Sequence, residues 1–235
     1  MRRIFGVLTI LCALMAAAAD DSARYYVVFL RPDPARKPLA QADAERLQAA
    51  HMANIRKMAS DGILVAAGPF DDRPVTISGI FVFQAASLES ARAVAAQDPT
   101  VVEHRNTVEV YAWMGPRGIG AEYRRLHQAD PSTPENMQPH PLCLVYRGAA
   151  WDEKSSQHDE LLKGHAAYIE KLREQGKLGA AGAIEPSGGL LGLVVFKPIP
   201  LDEVQALLRK DPAIEAGVLR IEPHTWWSSD HVLPW

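Results

Sequence analysis

Residues 51–70, HMANIRKMASDGILVAAGPF, return as residues 165–184, HAAYIEKLREQGKLGAAGAI, with nine of twenty positions identical. The offset between the copies is 114 (165 − 51) from His51/His165 to Gly68/Gly182. It becomes 113 (192 − 79) at Gly79/Gly192 and stays so through Asp98/Asp211 and Pro99/Pro212 to Trp113/Trp226. One residue is therefore missing from the second copy, between Pro69 and Ser78, where a loop tolerates the loss. A register held this far marks a tandem repeat of about a hundred residues per copy, and each copy must take the same fold.

Each copy carries the same order of elements. In the first, residues 25–30 form an apolar, strand-like run, and residues 41–60 place Leu47, His51, Ile55 and Met58 at helical spacing. Asp61-Gly62 ends that helix. Residues 63–67 are a short strand, followed by a turn through Gly68-Pro69 and Asp71-Asp72-Arg73-Pro74. Residues 76–84 are a second β run. Ser87 caps a helix that closes at Asp98-Pro99, and residues 107–113 are the last strand. The second copy repeats this at 142–146, 155–175, 177–181, 190–197, 201–210 and 219–226.

This order is βαββαβ, the ferredoxin-like arrangement. Its antiparallel sheet carries both helices on one face and leaves the other bare. The expected fold class is α+β, with two tandem ferredoxin-like repeats packed through their sheets as an intrachain pseudo-dimer resembling a dimeric α/β barrel. The expected domains are 24–114 and 140–235, the latter with a C-terminal tail. The linker 115–139 is rich in Pro and Gly and holds one short helix at 121–128.

The N-terminus reads differently. Met1-Arg2-Arg3 precedes a short apolar run at 4–14, then Ala16-Ala17-Ala18-Ala19 and Asp20-Asp21. This is the layout of a secretory signal peptide over residues 1–19, and it implies a secreted or periplasmic protein. Cleavage at Ala19 leaves 216 residues (235 − 19), and loss of Arg2 and Arg3 takes the formal charge from −3 to −5. Thr9-Ile10-Leu11 lacks the small residues expected before a lipidated cysteine, so Cys12 belongs to the apolar core of the leader. Cys143 is then the sole remaining cysteine and reads as a small buried hydrophobe. With no basic stripe, nucleic acid is not an expected partner. Nor is stable membrane association expected after leader removal. A monomeric pseudo-dimer or a higher homo-oligomer is expected.

His51 and His165 lie on the apolar stripes of their helices: His51 is four residues from both Leu47 and Ile55, and His165 is four before Ile169. An inward imidazole needs a partner, because leaving it unpaired costs roughly 1–3 kcal/mol. Asp98 and Asp211 follow the second helices at separations of 47 (98 − 51) and 46 (211 − 165) residues. A carboxylate beside an imidazole fixes its tautomer and raises its basicity, which makes a proton-transfer device. The same Asp-Pro pairs also read as ordinary helix stops whose aspartates bond turn N–H groups.

These residues carry a resemblance. His51, Ile55, Gly62, Leu64 and Ala66-Ala67-Gly68, the β run after the turn, Asp98-Pro99 and the closing Trp113, with their counterparts in copy two, resemble the YCII-related family over residues 24–114 and 140–227. The resemblance implies ferredoxin-like proteins that pair through their sheets, akin to dimeric α/β barrels such as muconolactone isomerase. It implies an active site made of a histidine and an aspartate, here His51 with Asp98 and His165 with Asp211. Some members are similar to enzymes that eliminate chloride from hydroxylated aromatics without metal or organic cofactor, so neither is expected here. Two features depart from the family pattern: Gly68-Pro69 becomes Gly182-Ala183 in copy two, and a secreted tandem form is not the usual single cytoplasmic domain.

The remaining constellations are weaker. His224, Asp230 and His231 crowd the C-terminus, but their spacing matches no metal motif, and a tail packed over the second copy is expected, with Trp226, Trp227 and Trp235 as anchors. His104, His127, His140 and His158 fall in polar stretches and read as surface residues. The chain has no Gly-rich phosphate loop, nucleophile elbow or cysteine nucleophile. Two functions follow. One is a cofactor-independent enzyme performing isomerisation or elimination on a small, aromatic or cyclic molecule. The other is a non-catalytic module that binds a small molecule or a protein.

Overall fold

The computed structural model describes residues 21–235; the expected signal peptide lies outside them. The first repeat contains β1 (Ser22–Pro32), α1 (Gln41–Ser60), β2 (Leu64–Pro69), β3 (Gly79–Phe83), α2 (Leu88–Ala95), α3 (Pro99–Val102) and β4 (Asn106–Pro116). A connecting helix, α4 (Ala121–Ala129), leads to the second. That repeat contains β5 (Met137–Arg147), α5 (His158–Glu174), β6 (Leu178–Ser187), β7 (Leu190–Phe196), α6 (Leu201–Leu208), α7 (Pro212–Glu215) and β8 (Leu219–Ser229).

Both repeats are βαββαβ units, each with an additional helical turn after the second helix. β1 and β5 run well past the apolar stretches that mark them in the sequence, because ladder pairing with β4 and β8 continues through polar residues and prolines to Ser22/Pro116 and Met137/Ser229. The connection between the sheets is correspondingly shorter than 115–139.

Local signals set the helix ends. Gly62 (φ 74°) and Gly176 (φ 68°) take the left-handed conformation just past α1 and α5. There Ile63 N–H reaches Met58 O at 3.0 Å and Lys177 N–H reaches Leu172 O at 3.0 Å, the bond pattern of a Schellman cap. Ser87 and Ser90 form a reciprocal capping box at α2. In α6 the position of Ser90 is Glu203, which pairs instead with Lys177 at 3.3 Å.

The strands assemble in the order β2-β3-β1-β4-β6-β7-β5-β8. Trp113 pairs with Ile184 where β4 meets β6, and the equivalent pair, Trp226 with Phe70, brings β8 back beside β2. Asp71 N–H bonds Thr225 O at 3.0 Å across that second seam. The sheet thus closes into a barrel about a pseudo-two-fold axis.

Alternation along β1 splits its residues between two cores, as a period of two requires. Tyr25, Val27 and Phe29 enter the barrel with Leu142, Leu144, Trp113 and Trp226, whereas Tyr26, Val28 and Leu30 pack under α1 and α2. Cys143 and Val145 lie likewise under α5 and α6. Burial pushes the free Cys143 thiol up to about 12.

Gly68 and Gly182 show how close the seams are. A Cβ on Gly68 would stand 1.8 Å from Trp227 O, and one on Gly182 would stand 2.0 Å from Met114 O. Only glycine admits this approach.

Candidate functional site: paired histidines and aspartates

Asp98 and Asp211 are the N-caps of the one-turn helices α3 and α7, each followed by proline at the first helical position. In both repeats this turn packs against the long helix that bears the histidine. The two readings of the Asp-Pro pair therefore hold together: each carboxylate bonds both the turn and the histidine, and His51 Nδ1 lies within reach of both Asp98 oxygens, 2.8 Å from Oδ2 and 3.0 Å from Oδ1. Asp98 Oδ1 accepts Thr100 N–H at 3.0 Å, and Oδ2 faces His51 Nδ1 at 2.8 Å. Asp211 Oδ1 accepts Ala213 N–H at 3.0 Å, and Oδ2 faces His165 Nδ1 at 2.7 Å.

Both carboxylates are fully buried, whereas the side chains of His51 and His165 retain 14% and 17% exposure. Each ionised carboxylate only accepts, so Nδ1 of each ring donates, and in the neutral ring Nε2 carries the lone pair. Neither Nε2 makes a hydrogen bond among the described residues.

Beyond this shared core the repeats differ. In the first, Asn54 Nδ2 donates to Asp98 Oδ2 at 3.0 Å and Thr100 Oγ1 donates to Oδ1 at 2.6 Å. Asn106 Nδ2 then donates to Thr100 Oγ1 at 3.0 Å, and Ser78 Oγ donates to Asn106 Oδ1 at 2.8 Å. At the corresponding places of the second repeat stand Tyr168, Ala213, Leu219 and Leu191. Tyr168 turns its hydroxyl to Leu207 O at 2.8 Å. The polar chain behind Asp98 is thus replaced by apolar packing behind Asp211.

The electrostatics follow from this geometry. Burial pushes the Asp98 carboxyl upward. Hydrogen bonds from His51 and Thr100, the charge of His51 and the bond from Asn54 together outweigh it and hold Asp98 below the usual aspartate value.

Several histidines differ from their expected surface placement. His104 is exposed and His127 stacks on Tyr123 with ring centroids 4.0 Å apart, but His140 and His158 are only 7% and 1% exposed. His140 occupies on β5 the place of Tyr25 on β1, so sheet register carries it inward despite the prolines on either side. His158 lies at the start of α5, edge-on to Trp151 at 4.5 Å, with both ring nitrogens unpaired among the described residues.

His224 is also buried, and its Nδ1 meets Asp72 Oδ2 at 2.6 Å across the β2/β8 seam. This third pair joins the turn of one repeat to the last strand of the other. No spacing within either repeat could have revealed it. Asp230 and His231 lie instead near the C-terminal tail. Among the described residues no group of three or more His, Cys, Asp or Glu side chains is placed to hold a metal ion, and no helix is long and apolar enough to cross a membrane.

Taken together, the molecule is a single-chain dimeric α+β barrel, two ferredoxin-like halves joined through their sheets, each with a histidine held by a buried aspartate. The chain belongs to the YCII-related domain family, which matches it twice, at residues 25–114 and 142–228. No curated protein matches it in sequence.

Among solved structures it is similar to a variant of the chlorite dismutase from Candidatus Nitrospira defluvii. The TM-score is 0.56 at 12% identity, covering 90% of this chain and 93% of that one. It is also similar to a heme-binding protein from Thermus thermophilus, with a TM-score of 0.51 at 14% identity, covering 89% and 91%. At such identities the likeness is one of fold.

Haem, named for the Thermus protein, does not fit these residues as they stand. The cavity inside the barrel measures about 10 Å³ and one beneath the C-terminal tail about 150 Å³, against roughly 300 Å³ or more for an ordinary cofactor pocket. Leu162, Leu172, Phe196 and Val204 fill the space between helices and sheet in the second repeat.

Proposed function

We propose that the protein is a cofactor-independent acid–base enzyme acting on a small hydroxylated aromatic or cyclic carbonyl compound, with His51 as its principal catalytic residue. The observation that carries this reading is the His51/Asp98 pair. Its carboxylate is buried and bonded on both oxygens, and its imidazole directs an unbonded Nε2 away from it.

In the reaction, Nε2 takes a proton from carbon next to a carbonyl or from a phenolic hydroxyl. The electron pair moves into the substrate's conjugated system. It then either expels a leaving group such as chloride or recaptures the proton at another carbon, which completes an isomerisation. Asp98 is a positioning residue that holds the tautomer and balances the imidazolium charge. The first repeat is favoured over the second because Asn54, Thr100, Asn106 and Ser78 brace its aspartate.

A non-catalytic binding module is the second reading. It draws on the fact that neither of the two cavities described above is lined by His51 or His165. One experiment separates the two. The full chain, His51→Ala and His165→Ala are incubated with hydroxyaromatics and lactones in heavy water, and exchange and turnover are followed by NMR. The enzyme reading expects a loss of roughly 10²–10⁴-fold in His51→Ala and a smaller one in His165→Ala. Neither turnover nor exchange by the unaltered protein on any compound would leave the binding module in its place.

Export from the cytoplasm belongs to the same proposal, supported by the charged, apolar and alanine-rich segments of residues 1–19. Mass spectrometry of the N-terminus after expression with the leader tests it.

A further inference from the structure

A second cavity stands apart from both histidine/aspartate pairs, where β5 and β6 begin, β7 and β8 end, and the C-terminal tail folds over them. Its volume is about 150 Å³, and His140, Lys197, Ser229, Asp230, His231 and Trp235 are among its lining residues. A water occupies roughly 10–15 Å³ of such space, so the cavity holds a molecule of several heavy atoms.

Its walls are built rather than incidental. Gly120 N–H bonds Val232 O at 2.8 Å, Tyr123 N–H bonds His231 O at 3.1 Å and Trp235 N–H bonds Gly179 O at 3.3 Å. Leu233 lies so near Gly179 that a Cβ there would come within 2.5 Å of its Cδ1. The Arg173 guanidinium covers the Trp235 ring, 5.5 Å from its centroid. His231 is held at φ 64°, an uncommon conformation for a residue with a side chain.

The polar groups facing this space are not paired with one another. His140 is more than nine-tenths buried, and its Nδ1 lies 3.2 Å from Phe196 O. A carbonyl only accepts, so Nδ1 holds the proton and Nε2 presents a lone pair with no partner among the described residues. Burial pushes His140 below the usual histidine value, which keeps the ring neutral. The Lys197 ammonium and the Asp230 carboxylate form no ion pair among the described residues, although both line the cavity. Together they offer one cation, one anion and one buried acceptor.

We propose that this cavity binds a small carboxylate bearing an adjacent amine or hydroxyl, an α-amino or α-hydroxy acid. The ligand's carboxylate meets Lys197. Its neighbouring N–H or O–H donates to His140 Nε2, with Asp230 on the same side, and its short side chain faces Leu233 and Trp235. The first repeat has no counterpart. Tyr25, Val65 and Gln84 stand where His140, Gly179 and Lys197 do, and Gly120 packs directly onto the Val65 carbonyl.

The test is calorimetric titration of the full chain with L-alanine, L-lactate, propionate and ethylamine, which are close in size and differ in the two recognised groups. Saturable binding of alanine or lactate is expected, with propionate and ethylamine weaker by about tenfold or more, the worth of one charge-assisted hydrogen bond. Lys197→Met weakens both acids. Asp230→Asn weakens alanine more than lactate if an ammonium is the natural group, and both alike if a hydroxyl is. His51→Ala leaves binding unchanged, so this site and the proposed acid–base function fail or stand separately. Absence of binding by both acids, propionate binding as tightly as lactate, or undiminished binding in Lys197→Met would each overturn the proposal.

Discussion

His224 Nδ1 lies 2.6 Å from Asp72 Oδ2, and the two residues belong to different repeats, 152 positions apart. Asp72 Oδ1 also accepts the N–H of Thr225 at 3.2 Å, so one carboxylate ties the turn after β2 to both side chain and backbone of β8. Glu222 approaches His224 Nε2 at 3.3 Å without making a hydrogen bond to it. Asp72→Ala strips the buried ring of its partner and should lower unfolding free energy by about 1–3 kcal/mol. Urea denaturation measures this, and an unchanged midpoint would show that the seam does not depend on the pair.

The two glycines at the seams lead to a second prediction. Gly68→Ala and Gly182→Ala each drive a methyl group into a backbone carbonyl of the opposing repeat. Backbone yields less than a flexible side chain, so each change should cost about 3 kcal/mol, the upper part of the overpacking range. Pseudo-symmetry predicts similar losses at the two positions. A thermal scan in which one variant melts normally would contradict equivalent seams.

Acid stability should depend on Asp98. Its carboxyl sits low in the folded protein, so its contribution is complete above the unfolded aspartate value of about 3.9 and fades as pH falls through the lower folded value. Between pH 5 and pH 2 the stability advantage of the protein over Asp98→Asn should therefore shrink. A difference that stayed constant or grew on acidification would reverse the sign.

His158 offers a test in the stabilising direction. Both its ring nitrogens are buried without partners among the described residues, packed against Trp151. Phenylalanine keeps the shape and removes the desolvated polar atoms, so His158→Phe should raise stability by about 1 kcal/mol. Equilibrium denaturation of the two proteins decides the matter.

The polar chain behind Asp98 separates the repeats experimentally. Thr100→Ala reproduces the second repeat's residue and removes two of the bonds that Asp98 accepts or shares through Thr100 Oγ1. If the first repeat carries activity, this change should lower kcat by roughly tenfold with KM little altered and shift the acid limb of the pH–rate profile upward. Equal kcat and an unmoved profile would reduce the chain to a structural detail.

Most of the architecture was legible from the sequence alone. The repeat fixed a pseudo-two-fold relation, and the order of strand and helix patterns implied ferredoxin-like halves with one bare face each. The long helix of the first copy ends where Asp61-Gly62 says it should, and its counterpart ends at the equivalent place, because helix stops are local chemistry. The histidine/aspartate pairs were also within reach, since each joins elements of one repeat whose packing the fold class already dictates.

What the tertiary structure alone decided lies between the repeats and at their ends. Closure of β8 against β2 chose Asp72 as the partner of His224, strand register buried His140 between prolines, and the returning tail roofed a cavity over it. Periodicity reports which face of an element is apolar over a few residues, a local property. Partners more than a hundred positions apart are selected by how two whole sheets meet, and no local pattern carries that information.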